Sequence, residues 1–182
     1  MNHRLGRHIV LIGMMGAGKT AIGSEIARRY GVNFTDSDAE IEAAAAMSIS
    51  EIFERDGEEF FRRRETQILT RILAAPPSIV STGGGAWMQP RNRDLIAEAG
   101  LSVWLNCDLE TLWHRVRQRS TRPLLKTADP KGTLARLIDE RYPVYQLADL
   151  NFPSRGGDSV EATATRLIEE IRAAYPDLLE LK

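Results

Sequence analysis

Gly13-Met14-Met15-Gly16-Ala17-Gly18-Lys19-Thr20 fits G-x-x-x-x-G-K-[ST] at every fixed position. That is the pattern of a phosphate-binding loop, and each residue type has a chemical reason to be there. The glycines let backbone N–H groups converge on phosphate oxygens with no Cβ in the way. The lysine can reach the β- and γ-phosphates of a nucleotide such as ATP, and the neighbouring hydroxyl can ligate Mg²⁺. The loop follows an apolar run, His8 to Gly13, and opens an amphipathic stretch from Thr20 to Tyr30. In that order the helix N-terminus adds a fixed positive field to the site. A Gly-rich turn that merely joins strand to helix is the plainer alternative, and this context disfavours it. The motif alone says nucleotide and does not say kinase.

Other residues supply what a phosphate loop lacks. Asp36 and Asp38 stand at the end of a second short strand, Val32 to Asp36. Residues two apart on an extended chain share a face. If this strand neighbours the first, both carboxylates face the γ-phosphate. One acid would then hold a metal-bound water, and the other would take or orient the proton of an acceptor hydroxyl. The competing reading makes Asp38 the N-cap of the helix that follows. Arg62, Arg63 and Arg64 are successive. At about 100° of rotation per residue they cannot share one helical face. One is expected to turn inward beside Phe61 and Ile68, where its fork suits a planar carboxylate. Arg63 and Arg64 read as a solvated face paired with Glu58, Glu59 and Glu65.

Three further features complete the set. Arg115, Arg117, Arg119, Arg122 and Lys126 flank a polar, proline-containing segment at about 118–130. Near a phosphate loop such a segment reads as a lid carrying a transition-state arginine, the alternative being an exposed basic loop. Arg141 precedes Pro143 in a helical stretch and is otherwise an ordinary i,i+4 surface charge. Gly83-Gly84-Gly85 ends a third strand, Ser78 to Thr82. Three glycines cost backbone entropy, and they permit close approach of a ligand to the main chain. The residue in the place of the usual Walker-B acid is Ser81. A metal would therefore rely on Thr20, phosphates, waters and Asp36.

The elements that must position these groups alternate short apolar runs with long amphipathic stretches. A fourth strand covers Leu101 to Leu105 and a weak fifth Leu150 to Phe152. Helices are expected at Asp38–Ala46, Ser50–Ala75 (broken at Asp56-Gly57), Arg91–Ala99, Leu109–Arg117, Thr133–Ala148 and Ser159–Tyr175. Strands joined by helical connections imply an α/β fold with a parallel sheet covered on both faces and a ligand site at the strands' carboxyl ends. The 182 residues show no repeat and no linker, so one domain is expected over 1–182. Lys plus Arg is 24 and Asp plus Glu is 25, which gives no general electrostatic grip on nucleic acid or an anionic membrane. The single cysteine, Cys107, excludes an internal disulfide and a thiolate zinc site. No apolar run approaches a membrane span, and the start shows no signal-peptide core. A cytoplasmic protein is expected.

Taken in order, the phosphate loop, Asp36-Ser37-Asp38, Ile49-Ser50-Glu51-Ile52-Phe53, Gly57-Glu58…Phe61-Arg62…Glu65, Gly83-Gly84-Gly85, Arg122-Pro123-Leu124-Leu125 and Arg141…Tyr145 resemble the shikimate kinase family. The resemblance runs from about His8 to Ile171. It implies a nucleoside-monophosphate-kinase type of P-loop domain: a five-stranded parallel sheet in three layers, a substrate-binding helical region at about 38–75 and a mobile lid. It implies ATP-dependent phosphorylation of the shikimate 3-hydroxyl, with Mg²⁺. Carried over by position, residues Gly13, Met14, Met15, Gly16, Ala17, Gly18, Lys19 and Thr20 bind ATP. Thr20, and Asp36 through water, serve the metal. Asp38 contacts the hydroxyls as candidate base, Arg62 and Arg141 clamp the carboxylate, and Gly83, Gly84 and Gly85 line the ring. Arg122 meets the transferring phosphate and Arg115 stacks on adenine. The chain departs from the family where a glycine often precedes the Ser-Ile-x-Glu-Ile-Phe stretch; here Ala46-Met47 stand before Ser48. The expected partners are ATP and shikimate alone, with the chain a monomer. A gluconate or other small-metabolite kinase and a non-catalytic ligand-sensing module remain the alternatives.

Overall fold

The computed structural model describes residues 3–119 and 126–181. Its elements in order are β1 (His3–Leu5), β2 (His8–Ile12), α1 (Lys19–Tyr30), β3 (Phe34–Asp36), α2 (Ser37–Ala45) and α3 (Ile49–Ala74). Then come β4 (Ile79–Ser81), a 3₁₀ turn (Ala86–Met88), α4 (Pro90–Ala99), β5 (Gly100–Asn106) and α5 (Leu109–Val116). The chain ends with α6 (Pro130–Tyr145), β6 (Leu150–Pro153), α7 (Val160–Ala174) and β7 (Leu179–Leu181).

Five strands form one parallel sheet in the order β3-β4-β2-β5-β6. The central strand β2 is buried along its whole length, as its unbroken apolar run requires for a strand covered on both faces. Ile9 pairs with Ile79 on one side and Leu101 on the other. The apolar stripe of α1, Ile22, Ile26 and Ala27, packs into the same core. Because β4 intervenes, β3 does not neighbour β2, contrary to the condition set for the two acids. Asp36 instead lies in register with Ser81 at the end of β4.

Local chemistry sets the ends of the helices that carry the site. Ser48 and Glu51 form a reciprocal capping box at the start of α3. Gly57 breaks that helix where Asp56-Gly57 was expected to break it. Ala46 ends α2 in the left-handed region at φ 51, with its N–H donated to the Glu42 carbonyl. A residue with a Cβ holds that turn at a strain of about 1 kcal/mol.

The tail after Tyr175 shows no motif or hydrophobic period in the sequence. In the fold β7 pairs antiparallel with β1, Leu5 opposite Leu179, and the Gly6 N–H donates to the Leu178 carbonyl at 3.1 Å. Leu178 and Leu179 are buried. Two three-residue strands are too short to show a period, so nothing in the sequence marked them.

Candidate active site

The phosphate loop runs from the end of β2 to the first turn of α1. Gly16 and Gly18 sit at φ 81 and φ 94, where a side chain is strained, and Gly18 caps the helix. A Cβ on Gly16 would also lie 2.7 Å from Val116 of α5. Lys19 Nζ donates to the carbonyls of Gly13 at 2.7 Å and Met14 at 3.0 Å, so it lies folded across the loop it serves. Arg115 reaches over from α5 and donates to the Gly16 carbonyl at 3.0 Å, on the outer side of the loop. Among the ATP-side residues, 13–20 and Arg115 therefore form one surface. Arg122 lies outside the described residues, as does the middle of the segment 118–130.

Asp36 and Asp38 do different jobs. The Asp36 carboxylate is the N-cap of α2: its Oδ1 accepts from the N–H groups of Asp38 at 2.9 Å and Ala39 at 3.2 Å. The cap is thus Asp36, which removes the competing reading of Asp38 as the N-cap. The chain turns from strand to helix at Asp36, so the two acids are not on one strand face either. Asp36 Oδ2 accepts from the Thr20 hydroxyl at 3.4 Å, which brings the two residues proposed for the metal side by side. A hydroxyl beside a carboxylate is a hard oxygen pair of the kind Mg²⁺ takes with phosphates and waters, so the donor set fits the ion. Among the described residues no group of three or more His, Cys, Asp or Glu side chains could hold a metal by itself.

Asp38 projects from the first turn of α2 toward the glycines. Its Oδ1 is enclosed, with no hydrogen-bond donor among the described residues. Burial pushes its carboxyl above the usual aspartate range, Asp36 adds to that, and Lys19 and Arg62 oppose it. A raised pKa on an enclosed carboxylate between two cations suits a group that accepts a proton during a reaction.

Each glycine of the triplet faces a different functional side chain. A Cβ on Gly83 would lie 2.6 Å from Asp38 Oδ1. One on Gly84 would lie 2.6 Å from Arg141 Nη1 and 3.4 Å from the Tyr145 hydroxyl. One on Gly85 would lie 2.6 Å from Arg62 Nη1. The close approach that glycine permits here is made by the protein's own side chains. Asp38 comes from α2, Arg62 from α3 and Arg141 from α6, and they converge on one turn after β4.

The inward arginine is Arg62, and Arg63 and Arg64 are held at the surface by Glu59 and Gln67. Glu65 was placed on the solvated face. It is instead buried, at 1% exposure, and accepts from Arg62 Nη1 at 2.8 Å. Burial raises its pKa, against the pull of Arg62. Its signal was available: Glu65 is four residues from Phe61, on the apolar face of α3, and three from Arg62. Tyr145 was likewise given no role. It is fully buried and donates to the Gly84 carbonyl, one turn beyond Arg141 on the same helix face. Tyr142 donates to the Cys107 carbonyl, and burial drives its phenol well above the ordinary range.

The arrangement offers a phosphate cradle on one side and, on the other, two guanidinium groups and an enclosed carboxylate. Among the described residues no helix is long and apolar enough to cross a membrane. Comparison with known proteins agrees with this geometry. A family model described as shikimate kinase matches residues 15–172. A shikimate kinase of Ruegeria pomeroyi is 54% identical over 177 residues, 97% of this chain and 90% of the relative. One of Cereibacter sphaeroides is also 54% identical over 177 residues, 97% of this chain and 88% of the relative. Among solved structures, a shikimate kinase from Acinetobacter baumannii in complex with shikimate superposes with a TM-score of 0.88 at 34% identity, covering 93% of this chain and 94% of that one.

Proposed function

This chain belongs to the shikimate kinase family, and from that membership we infer how its own residues divide the work of phosphorylating shikimate. The reaction moves the γ-phosphoryl group of ATP to the 3-hydroxyl of shikimate and leaves ADP. We propose that residues 13–20 hold the phosphates, with Lys19 leaving the Gly13 and Met14 carbonyls for the β- and γ-oxygens. Arg115, bonded to the Gly16 carbonyl, is the surface for adenine, and Arg122 meets the group in transfer. Thr20 and Asp36 are the residues that would hold Mg²⁺, Asp36 through water. Held there, the ion would supply neutralisation of the charge on the phosphates.

On the acceptor side, Arg62 and Arg141 clamp the shikimate carboxylate, and the backbone of Gly83, Gly84 and Gly85 lines the ring. Asp38 orients the 3-hydroxyl and takes its proton. The hydroxyl oxygen forms the new bond to phosphorus as the bond to the β-phosphate oxygen breaks. The helical region at 38–75 carries two of these groups and is proposed as the part that binds the acid. The enzyme is a cytoplasmic monomer in this reading, one domain whose partners are two small molecules.

The observation that carries the assignment is the convergence of Asp38, Arg141 and Arg62 on three consecutive glycines. A small acid with hydroxyls needs one proton acceptor and a forked cation for its carboxylate, and Asp38, Arg62 and Arg141 supply these. ADP release should be followed against shikimate, quinate, gluconate and nucleoside monophosphates. Turnover with shikimate well above all others is expected. Faster turnover with gluconate, or binding without ADP release, would sink the reading of these roles.

A further inference from the structure

Met14 occupies a variable position of the phosphate loop, yet its two ends belong to different sites. Its carbonyl accepts from Lys19 Nζ at 3.0 Å and from the Ala17 N–H at 3.1 Å. Its side chain is completely buried. There the thioether Sδ lies 3.9 Å from Arg141 Nη1 and 3.8 Å from the Tyr145 hydroxyl. Tyr145 in turn donates to the carbonyl of Gly84. The place a Gly84 Cβ would take is 3.7 Å from the carbonyl of Gly13, so the start of the loop packs against the acid clamp.

We infer that Met14 is a positioning residue that couples nucleotide binding to shikimate binding, by seating Arg141 and Tyr145 on the phosphate loop. This rests on the roles proposed above for Lys19 and Arg141. When nucleotide phosphates draw Lys19 away, the loop carbonyls exchange that partner for a loop fixed around the phosphates. The Met14 side chain is fixed with it, and so is the wall against which Arg141 packs. Shikimate then meets a guanidinium already ordered, and its binding is tighter for that reason. Linkage requires shikimate to tighten nucleotide by the same factor. Thioether contacts are individually weak, so the effect comes from shape and packing in an enclosed space.

The test is a thermodynamic cycle on the full chain. Shikimate Kd is measured by calorimetry with and without saturating Mg²⁺ and a non-hydrolysable ATP analogue, in wild type, Met14→Ala and Met14→Leu. The readout is the ratio of the two Kd values, in which any effect of a substitution on either ligand alone cancels. Wild type is expected to bind shikimate roughly 5-fold or more tighter with nucleotide present, within the usual range of coupling. In Met14→Ala the ratio should fall to below about twofold. Met14→Leu keeps the volume and should keep the ratio. A ratio near one in wild type, or an unchanged ratio in Met14→Ala, overturns the inference. Those outcomes differ from failure of wild type to bind shikimate at all, which would overturn the site assignment beneath it.

Discussion

The phosphate loop and the proposed acid clamp are both assigned to anions, and they are built from different materials. The loop is eight consecutive residues, and its donors are backbone N–H groups at a helix N-terminus. The clamp is assembled from α2, α3, α6 and the turn after β4, and its working groups are ionised side chains packed against glycines. A backbone cradle has few conformations to choose from and leaves little uncompensated charge when empty. A side-chain clamp must hold buried carboxylates and guanidinium groups in register before its ligand arrives. Glu65 answers part of that need by pairing with Arg62, while Asp38 Oδ1 has no such donor among the described residues. The two halves should therefore fail differently when cut.

The largest effects lie on the line between them. Lys19→Ala should reduce turnover to background, with the loss in phosphate handling, since no other described residue of the loop carries a cation to the γ-oxygens. Asp38→Asn should fold and bind nucleotide, yet lose kcat by about 10²–10⁴-fold, because the amide can hydrogen-bond the hydroxyl and cannot take its proton. In the proposed role Asp38 acts as the carboxylate, and burial raises its pKa. Wild-type kcat/KM should accordingly climb with pH through a value above the ordinary aspartate range, and the Asn variant should lack that limb. Steady-state kinetics across pH check both halves. Near-normal kcat in Asp38→Asn would leave transfer to electrostatics alone.

The same difference in materials decides what could be read from the sequence. The phosphate loop was legible because its geometry is local: a strand, eight residues and a helix suffice to specify it. The five parallel strands were legible for a similar reason, each being an apolar run between helical stretches. The clamp was legible in part: helical spacing calls for one inward arginine among Arg62, Arg63 and Arg64, whereas Arg141 came through resemblance, because tertiary packing brings it and Arg62 to one turn. The surroundings of these residues escaped. Glu65 reads as one more surface acid in a run of charges, and only burial beneath Arg62 shows otherwise. The helix cap falls to Asp36 because the strand ends there and the helix begins at Ser37, a boundary the sequence did not mark. The β1–β7 pairing was invisible at three residues a strand.

Intermediate effects fall on the clamp. If Arg62 and Arg141 share the carboxylate, Ala at either removes a charge-assisted hydrogen bond of about 1.5–3 kcal/mol, a roughly tenfold to hundredfold loss of shikimate affinity. Nucleotide affinity measured without shikimate should move far less. Arg62→Ala should also cost stability, since it leaves the Glu65 carboxylate buried and without its partner, whereas Arg141 has no acid paired with it among the described residues. Calorimetry for each ligand and thermal unfolding separate the two arginines. Equal weakening of both ligands in both variants would mean general damage and would break the distinction.

The smallest expected effect is the most discriminating, because it gives opposite signs to two acids of one motif. Asp36 accepts two backbone N–H groups at the start of α2. Asp36→Ala removes that cap and should cost about 1 kcal/mol, a fall of roughly 2–4 °C in Tm. Asp38 is not that cap, and its pKa is raised chiefly by burial and further by Asp36, against Lys19 and Arg62. A carboxyl whose pKa is higher folded than unfolded binds more protons in the native state over the interval between the two values. Its favourable contribution is complete below the unfolded value and is lost as pH rises through the folded one. Near neutral pH the ionised Asp38 therefore works against folding, and Asp38→Asn should raise Tm while abolishing most activity. That gain should shrink as pH is lowered toward the aspartate range, where wild type protonates and the two side chains become alike. Thermal unfolding of wild type and both variants at about pH 8 and about pH 4 reads this directly. A Tm for Asp38→Asn below wild type at the higher pH would mean that the carboxylate is paid back by Lys19 and Arg62 in full, and that the clamp, like the loop, is at rest when empty.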